Sequence, residues 1–189
     1  MSPQASTTGV VEVHDLRKAL FTGLALIVIC AMLASLSDRT PAPVPENAPP
    51  TTFSAERAMK YVRAIAQRPH PSGSAEHARV REYLVATLRA LGLEPQIQET
   101  TGVGTHNTVA ARVSNVLARV PGRSAGGPAV LLVGHYDGVP VAPAAGDDGA
   151  AVAALLETLR ALRAGPLLAH DVIALFNRVA IGTVVEIEE

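Results

Sequence analysis

Two clusters of residues in this chain could do acid–base or metal chemistry. Both lie between Val130 and Glu157, in VLLVGHYDGVPVAPAAGDDGAAVAALLE. The first is His135-Tyr-Asp137, at the end of an apolar run, and the second is Gly146-Asp147-Asp148-Gly149, just before an Ala/Leu-rich run. An imidazole and carboxylates gathered at a strand end are where an α/β sheet normally places its chemistry. If strand alternation puts His135 and Asp137 on one face, the carboxylate can fix the tautomer of a metal-ligating imidazole. A carboxylate from the following loop could then bridge two hard or borderline cations. The plainer alternative is a polar strand end followed by an aspartate N-cap beside the helix dipole.

The elements that must position these residues can be read from periodicity. Val130–Gly134 is expected as a buried strand, Asp148 or Gly149 to Ala164 as a helix ended by Gly165-Pro166, and Asp171–Phe176 as a second apolar strand. Strand, helix and strand at this spacing predict a parallel pair in an α/β sheet. Upstream, Ser54 caps a helix whose stripe is Ala58, Tyr61, Val62 and Ile65, and Pro69 stops it. Ser74 caps another from Ala75 to Leu91, striped by Val80, Tyr83, Leu84, Thr87, Leu88 and Leu91 and ended by Gly92. Glu94–Thr100 reads as an edge strand and Arg112–Val120 as a strand joined to Val130–Gly134 by a Gly-rich hairpin turn, 121–128. His70, His77 and His106 read as loop or solvent-face residues. The GVG of the 102–109 connection lacks the third glycine and the flanks of a dinucleotide loop.

The net charge of −1 gives no reason to expect nucleic acid as a partner. The single cysteine, Cys30, excludes a disulfide framework and a cysteine-based zinc site. Cys30 lies in Ala19–Leu36, an uncharged run of about the length needed to cross a bilayer. Arg17 and Lys18 before it favour a cytoplasmic N-terminus, with the globular part on the periplasmic or lumenal side. A cleaved signal peptide is the alternative. The organisation expected is a cytoplasmic tail 1–18, disordered through Asp15, an anchor 19–37, and a Pro-rich spacer 38–52. A globular part, 53–176, and a tail, 177–189, follow.

The Val130–Glu157 stretch resembles the co-catalytic zinc metallopeptidases of clan MH, which include bacterial aminopeptidases, glutamate carboxypeptidases and endoplasmic reticulum metallopeptidases. Arg68-Pro-His-Pro-Ser-Gly-Ser-Ala-Glu76 and Ser114-Asn-Val-Leu-Ala-Arg-Val-Pro-Gly122 agree with it, so the resemblance covers roughly Phe53 to Phe176. It implies an α/β fold, an incomplete three-layer sandwich with a mixed, partly parallel sheet and flanking helices, preceded by one transmembrane helix. It further implies that His135 ligates one zinc, that Asp137 orients it, and that Asp147 bridges two zincs while Asp148 caps the helix. The implied activity is hydrolysis of peptide substrates by a membrane-anchored exopeptidase, with no implied oligomeric state.

The chain departs from that family after Phe176. A Gly-Glu-Glu-like segment, carrying the general-base Glu and a zinc ligand, is expected at the strand end, and Asn177-Arg-Val-Ala-Ile-Gly stands there instead. Glu186, Glu188 and Glu189 lie too far on to replace the pair. The expectation is a truncated or frameshifted product, inactive or weakly active, with an apolar sheet edge left open. The competing function is a non-catalytic membrane-tethered binding module. A serine hydrolase is excluded by the absence of a G-x-S-x-G elbow.

Overall fold

The computed structural model describes residues 8–37, 40–103, 110–124 and 127–176. His106, Asn177 and Glu186, Glu188 and Glu189, considered above, lie outside them. The chain divides into two compact units, Met1–Ala42 and Pro43–Glu189.

Among its described residues the first unit holds one helix, α1 (Thr8–Ser37). Within it Leu16–Ser37 is long and apolar enough to cross a membrane, with mean hydropathy 2.5. Disorder through Asp15 was expected, but the helix already begins at Thr8. Once the apolar turns have nucleated, each added residue gains a backbone bond at little further cost, so helix propagates into the polar flank.

The second unit is mixed α/β. Helix α2 (Ala55–Ile65) starts where Ser54, in extended conformation, accepts the Arg57 N–H at 3.2 Å. Helix α3 (Ala75–Ala90) starts in the same way, with Ser74 Oγ accepting the His77 N–H at 3.1 Å. It stops at Gly92, whose φ of +73° carries the chain into the left-handed turn that ends helices. Four strands follow: β1 (Gln96–Val103), β2 (Ala110–Val120), β3 (Val130–Gly134) and β4 (Val172–Phe176), with α4 (Ala150–Ala164) crossing over between the last two.

The sheet order is β1-β2-β4-β3. β1 and β2 are antiparallel, β2 and β4 are antiparallel, and β3 runs parallel to β4 with Val130 opposite Val172. The expected parallel pair is present, and the expected hairpin between β2 and β3 is not. β4 inserts between them, and the 121–124 stretch bonds to the chain leading into β4 (Arg123 N–H to Leu168 O, 2.9 Å). β3 was also expected to be buried. It is a sheet edge among the described residues, with Val130 54%, Leu131 46% and Val133 49% exposed. A fully apolar run reads as a central strand, but its place is decided by which strands flank it, and here only one does.

The core lies between helices and sheet: Ile65 from α2, Val80, Leu84 and Leu88 from α3, Val152, Leu156 and Leu159 from α4, and Val116, Ala174 and Phe176 from the central strands. At about 1.5–3 kcal/mol for each fully buried aliphatic side chain, this cluster supplies the main drive to fold. The Pro-rich segment was expected to be an extended spacer, yet from Val44 it is bonded to the fold. Ser54 Oγ donates to Val44 O and Pro45 O, both at 2.9 Å. Arg57 and Arg160 donate to the carbonyls of Ala48, Pro50 and Thr52.

Candidate metal centre

The site forms where β3 ends. The chain leaves the strand at Gly134 and presents His135, Tyr136 and Asp137 in sequence. Tyr136 turns inward, is 2% exposed, and donates its hydroxyl proton to Ser114 O on β2 at 2.5 Å. Burial pushes its phenol up to about 12, so it stays protonated at any physiological pH. Tyr136 is thus the peg that fixes its two neighbours outside the core.

The second half of the site comes from the turn before α4. A wide helical turn, Ala145–Gly149, is interrupted by non-helical backbone at Asp147 and Asp148, whose shared peptide is cis. Gly149 N–H donates to Ala144 O at 2.9 Å and closes the turn. Gly138 lets this turn approach the His135 loop, because a Cβ at that position would lie 2.5 Å from the Ala144 Cβ.

His135 and Asp147 meet. The imidazole Nε2 lies 3.0 Å from Asp147 Oδ1, while Nδ1 lies 3.1 Å from Asp137 O and 3.3 Å from Asp137 Oδ1. All three residues marked from the sequence therefore share one cluster. Asp148 was expected to cap α4 and does not. Gly149 occupies the cap position without a side-chain bond, and Asp148 Oδ2 accepts the His135 N–H at 3.2 Å. Its backbone leaves the helical region, so the carboxylate turns back toward β3 instead of over the first turn.

Electrostatics follow from this geometry. Burial pushes the His135 imidazolium down, but the Asp137 carbonyl, the Asp148 and Asp137 charges and the Asp147 hydrogen bond outweigh it and raise the pKa above its ordinary value. The imidazole has an acceptor at each nitrogen, the arrangement of a cation. The Asp147 side chain is 91% exposed. An ion pair that open to water contributes little to stability, so folding alone does not explain why the two groups face one another.

The donor set can be tested against zinc. Two donors of a tetrahedral zinc with bonds of about 2.0–2.2 Å stand roughly 3.3–3.5 Å apart. The 3.0 Å between His135 Nε2 and Asp147 Oδ1 is within a small adjustment of that spacing, and Asp137 backs the other ring nitrogen. The pair therefore fits as part of a zinc site. It is only part of one, since among the described residues no group of three or more His, Cys, Asp or Glu is placed to hold a metal ion.

Two histidines depart from expectation. His70 and His77 were placed in a loop and on a solvent face, but they are 1% and 8% exposed. The His77 ring stacks on Tyr136 with centroids 4.6 Å apart and planes 2° from parallel. His70 Nδ1 lies 2.9 Å from Arg68 O, and its own carbonyl accepts the Gly138 N–H at 3.2 Å. Imidazole is amphipathic enough to be buried, and two of the contacts that cover these residues, the Tyr136 ring on His77 and the Gly138 N–H on His70 O, come from residues distant in sequence. Sequence reasoning also missed Asp148 as the acceptor of the His135 N–H and Gly138 as the point of close approach. A glycine directly after His-x-Asp is the signal that could have marked the latter.

Comparisons with known proteins agree with this fold. Residues 115–179 match the peptidase family M28. A vacuolar membrane protease of Schizophyllum commune is 29% identical over 146 residues, which is 72% of this chain and 16% of that protein. Endoplasmic reticulum metallopeptidase 1 of Mus musculus is 29% identical over 142 residues, 66% of this chain and 16% of its own length. Among solved structures, the Porphyromonas gingivalis glutaminyl cyclase superposes with a TM-score of 0.58 at 29% identity, over 66% of this chain and 45% of that one. A Zn-dependent exopeptidase from Parabacteroides distasonis shares the fold, with a TM-score of 0.56 at 23% identity over 66% of this chain and 46% of that one. The chain thus spans about a sixth of the length of these relatives and under half of the solved structures.

Proposed function

We propose that this chain, whose residues 115–179 match the peptidase family M28, carries part of a membrane-anchored, zinc-dependent exopeptidase that hydrolyses peptide bonds. The observation that carries the reading is the meeting of His135 Nε2 and Asp147 Oδ1 at the end of a parallel strand, with Asp137 behind the imidazole. His135 and Asp147 would hold zinc, and Asp137 would orient the ring. A bound zinc supplies Lewis acidity toward the scissile carbonyl and makes water acidic enough to attack it at neutral pH.

The chain's own residues do the positioning. Asp137 O and Oδ1 face His135 Nδ1, and Nε2 is directed at Asp147, the side on which a metal would be held. Asp148 pins the His135 backbone, and the exposed Asp147 carboxylate faces solvent, where a substrate would arrive. Among the described residues no group of three or more His, Cys, Asp or Glu is placed to hold a metal ion. On that ground the described residues alone are proposed to be inactive or weakly active. α1 would be the single-pass anchor, with its N-terminus cytoplasmic because of Arg17 and Lys18.

The test is chelator-sensitive release of amino acids from a peptide library by the purified full chain in detergent. Zinc bound without turnover supports the reading. Turnover overturns the proposed inactivity, and absence of bound zinc favours a non-catalytic module. A second reading, cyclisation of N-terminal glutamine, is supported by the likeness to the glutaminyl cyclase at 29% identity. Formation of pyroglutamyl peptide from a glutaminyl substrate distinguishes it.

A further inference from the structure

The loop Arg68-Pro-His-Pro-Ser-Gly-Ser74 and the first turn of α3 that follows it touch the His135 segment at three successive points. His70 O accepts the Gly138 N–H at 3.2 Å, Ser72 Oγ–H donates to Asp137 Oδ2 at 3.1 Å, and the His77 ring stacks on Tyr136. The loop is itself rigid. Ser74 N–H donates to Pro71 O at 3.0 Å, and the Ser74 hydroxyl caps α3.

We propose that Ser72 is a positioning residue for the metal-binding histidine, acting through Asp137; this rests on the zinc reading given above. A carboxylate beside an imidazole can rotate and offer either oxygen, or turn toward water. The Ser72 hydroxyl holds Oδ2, and Oδ1 is then directed at His135 Nδ1 at 3.3 Å, beside the Asp137 carbonyl at 3.1 Å. Nε2 faces Asp147 Oδ1 at 3.0 Å, but that side chain is 91% exposed and screened by water, whereas the two Asp137 acceptors at Nδ1 are sheltered. The neutral imidazole is thereby directed to carry its proton on Nδ1 and keep the Nε2 lone pair for a metal. The Asp137 side chain is only 13% exposed, so water is a poor substitute for the serine. Ser72 lies 65 positions from Asp137 in sequence, so the relay exists only in the folded unit.

The experiment uses the full chain in detergent, labelled with 15N-histidine, as wild type, Ser72→Ala and Ser72→Thr. In metal-free protein at alkaline pH, nitrogen chemical shifts report the His135 tautomer. Zinc affinity is read separately by competition with a chelating dye. The expected result is an Nδ1–H tautomer in wild type and a shift toward Nε2–H in Ser72→Ala. Zinc affinity in Ser72→Ala should fall about tenfold, the lower end of what such supporting bonds contribute, and Ser72→Thr should restore both. A Ser72→Ala chain with unchanged tautomer and unchanged zinc affinity overturns the proposal. So does a lowered melting temperature with the tautomer kept, since a merely structural serine would do that. If wild type takes up no zinc, the metal reading fails, and the tautomer shift still decides the role of Ser72.

Discussion

Glu157 and Asp147 are carboxylates of one turn-and-helix segment, and the fold treats them oppositely. Glu157 is fully buried on α4 and saturated. Oε1 accepts from Ser54 N–H at 2.9 Å, Arg57 Nε at 2.9 Å and Arg160 Nη2 at 2.8 Å, and Oε2 accepts from Arg160 Nε at 2.7 Å. The two arginines then spend their remaining protons on the carbonyls of the Pro-rich segment, so one carboxylate latches the segment before α2 to α2 and α4. Asp147 is almost entirely exposed, and its one described partner is an imidazole that could equally face a cation. A cluster whose every donor and acceptor is matched serves stability. A cluster left open on its solvent side, at a strand end, is available for a ligand.

Truncation of the latch should have the largest effect. Glu157→Ala leaves two buried-edge guanidinium groups and the Ser54 N–H without their acceptor, and should cost about 3–5 kcal/mol in urea unfolding of the full chain. A loss under about 1 kcal/mol would mean that the network is dispensable. Next comes the close approach that assembles the open cluster. Gly138→Ala drives a methyl into Ala144 and should cost about 1–3 kcal/mol, with zinc uptake falling as the Asp147 turn moves away. Unchanged zinc binding in that variant would show that the turn is placed by something else.

The contrast also predicts a pH dependence. Burial pushes the Glu157 carboxyl up, but the bonds from Arg160, Ser54 N–H and Arg57 outweigh it and hold its pKa below the usual carboxylate range. Its contribution is therefore complete above the unfolded value of about 4.3 and is lost as pH falls through the lower folded value. Acid unfolding curves of wild type and Glu157→Gln should converge toward low pH and separate above it. Parallel curves would remove Glu157 as the linked group. The smallest effect belongs to the open cluster: Asp147→Ala should change unfolding free energy by no more than about 0.5 kcal/mol.

Much of this was legible in the sequence because it is local. The serine caps at Ser54 and Ser74, the stop at Gly92 and the parallel β3–β4 pair all follow from residues close in the chain. So does the gathering of His135, Asp137 and Asp147. What was not legible depends on distant partners. An apolar run such as Val130–Gly134 does not disclose that it has one neighbour rather than two among the described residues, and a Gly-rich 121–128 stretch does not disclose that β4 will separate the strands it joins. The burial of His77 waits on Tyr136, and that of Glu157 on Ser54 and Arg57, contacts that exist only after α2, α3 and α4 have packed.

The most direct test of the central claim is equilibrium zinc binding by the full chain and by His135→Ala and Asp147→Ala, each also checked for its unfolding free energy. The account predicts that wild type takes up zinc, and that both variants lose it while Asp147→Ala remains as stable as wild type. Zinc held equally well by wild type and both variants, or by none of them, would contradict it.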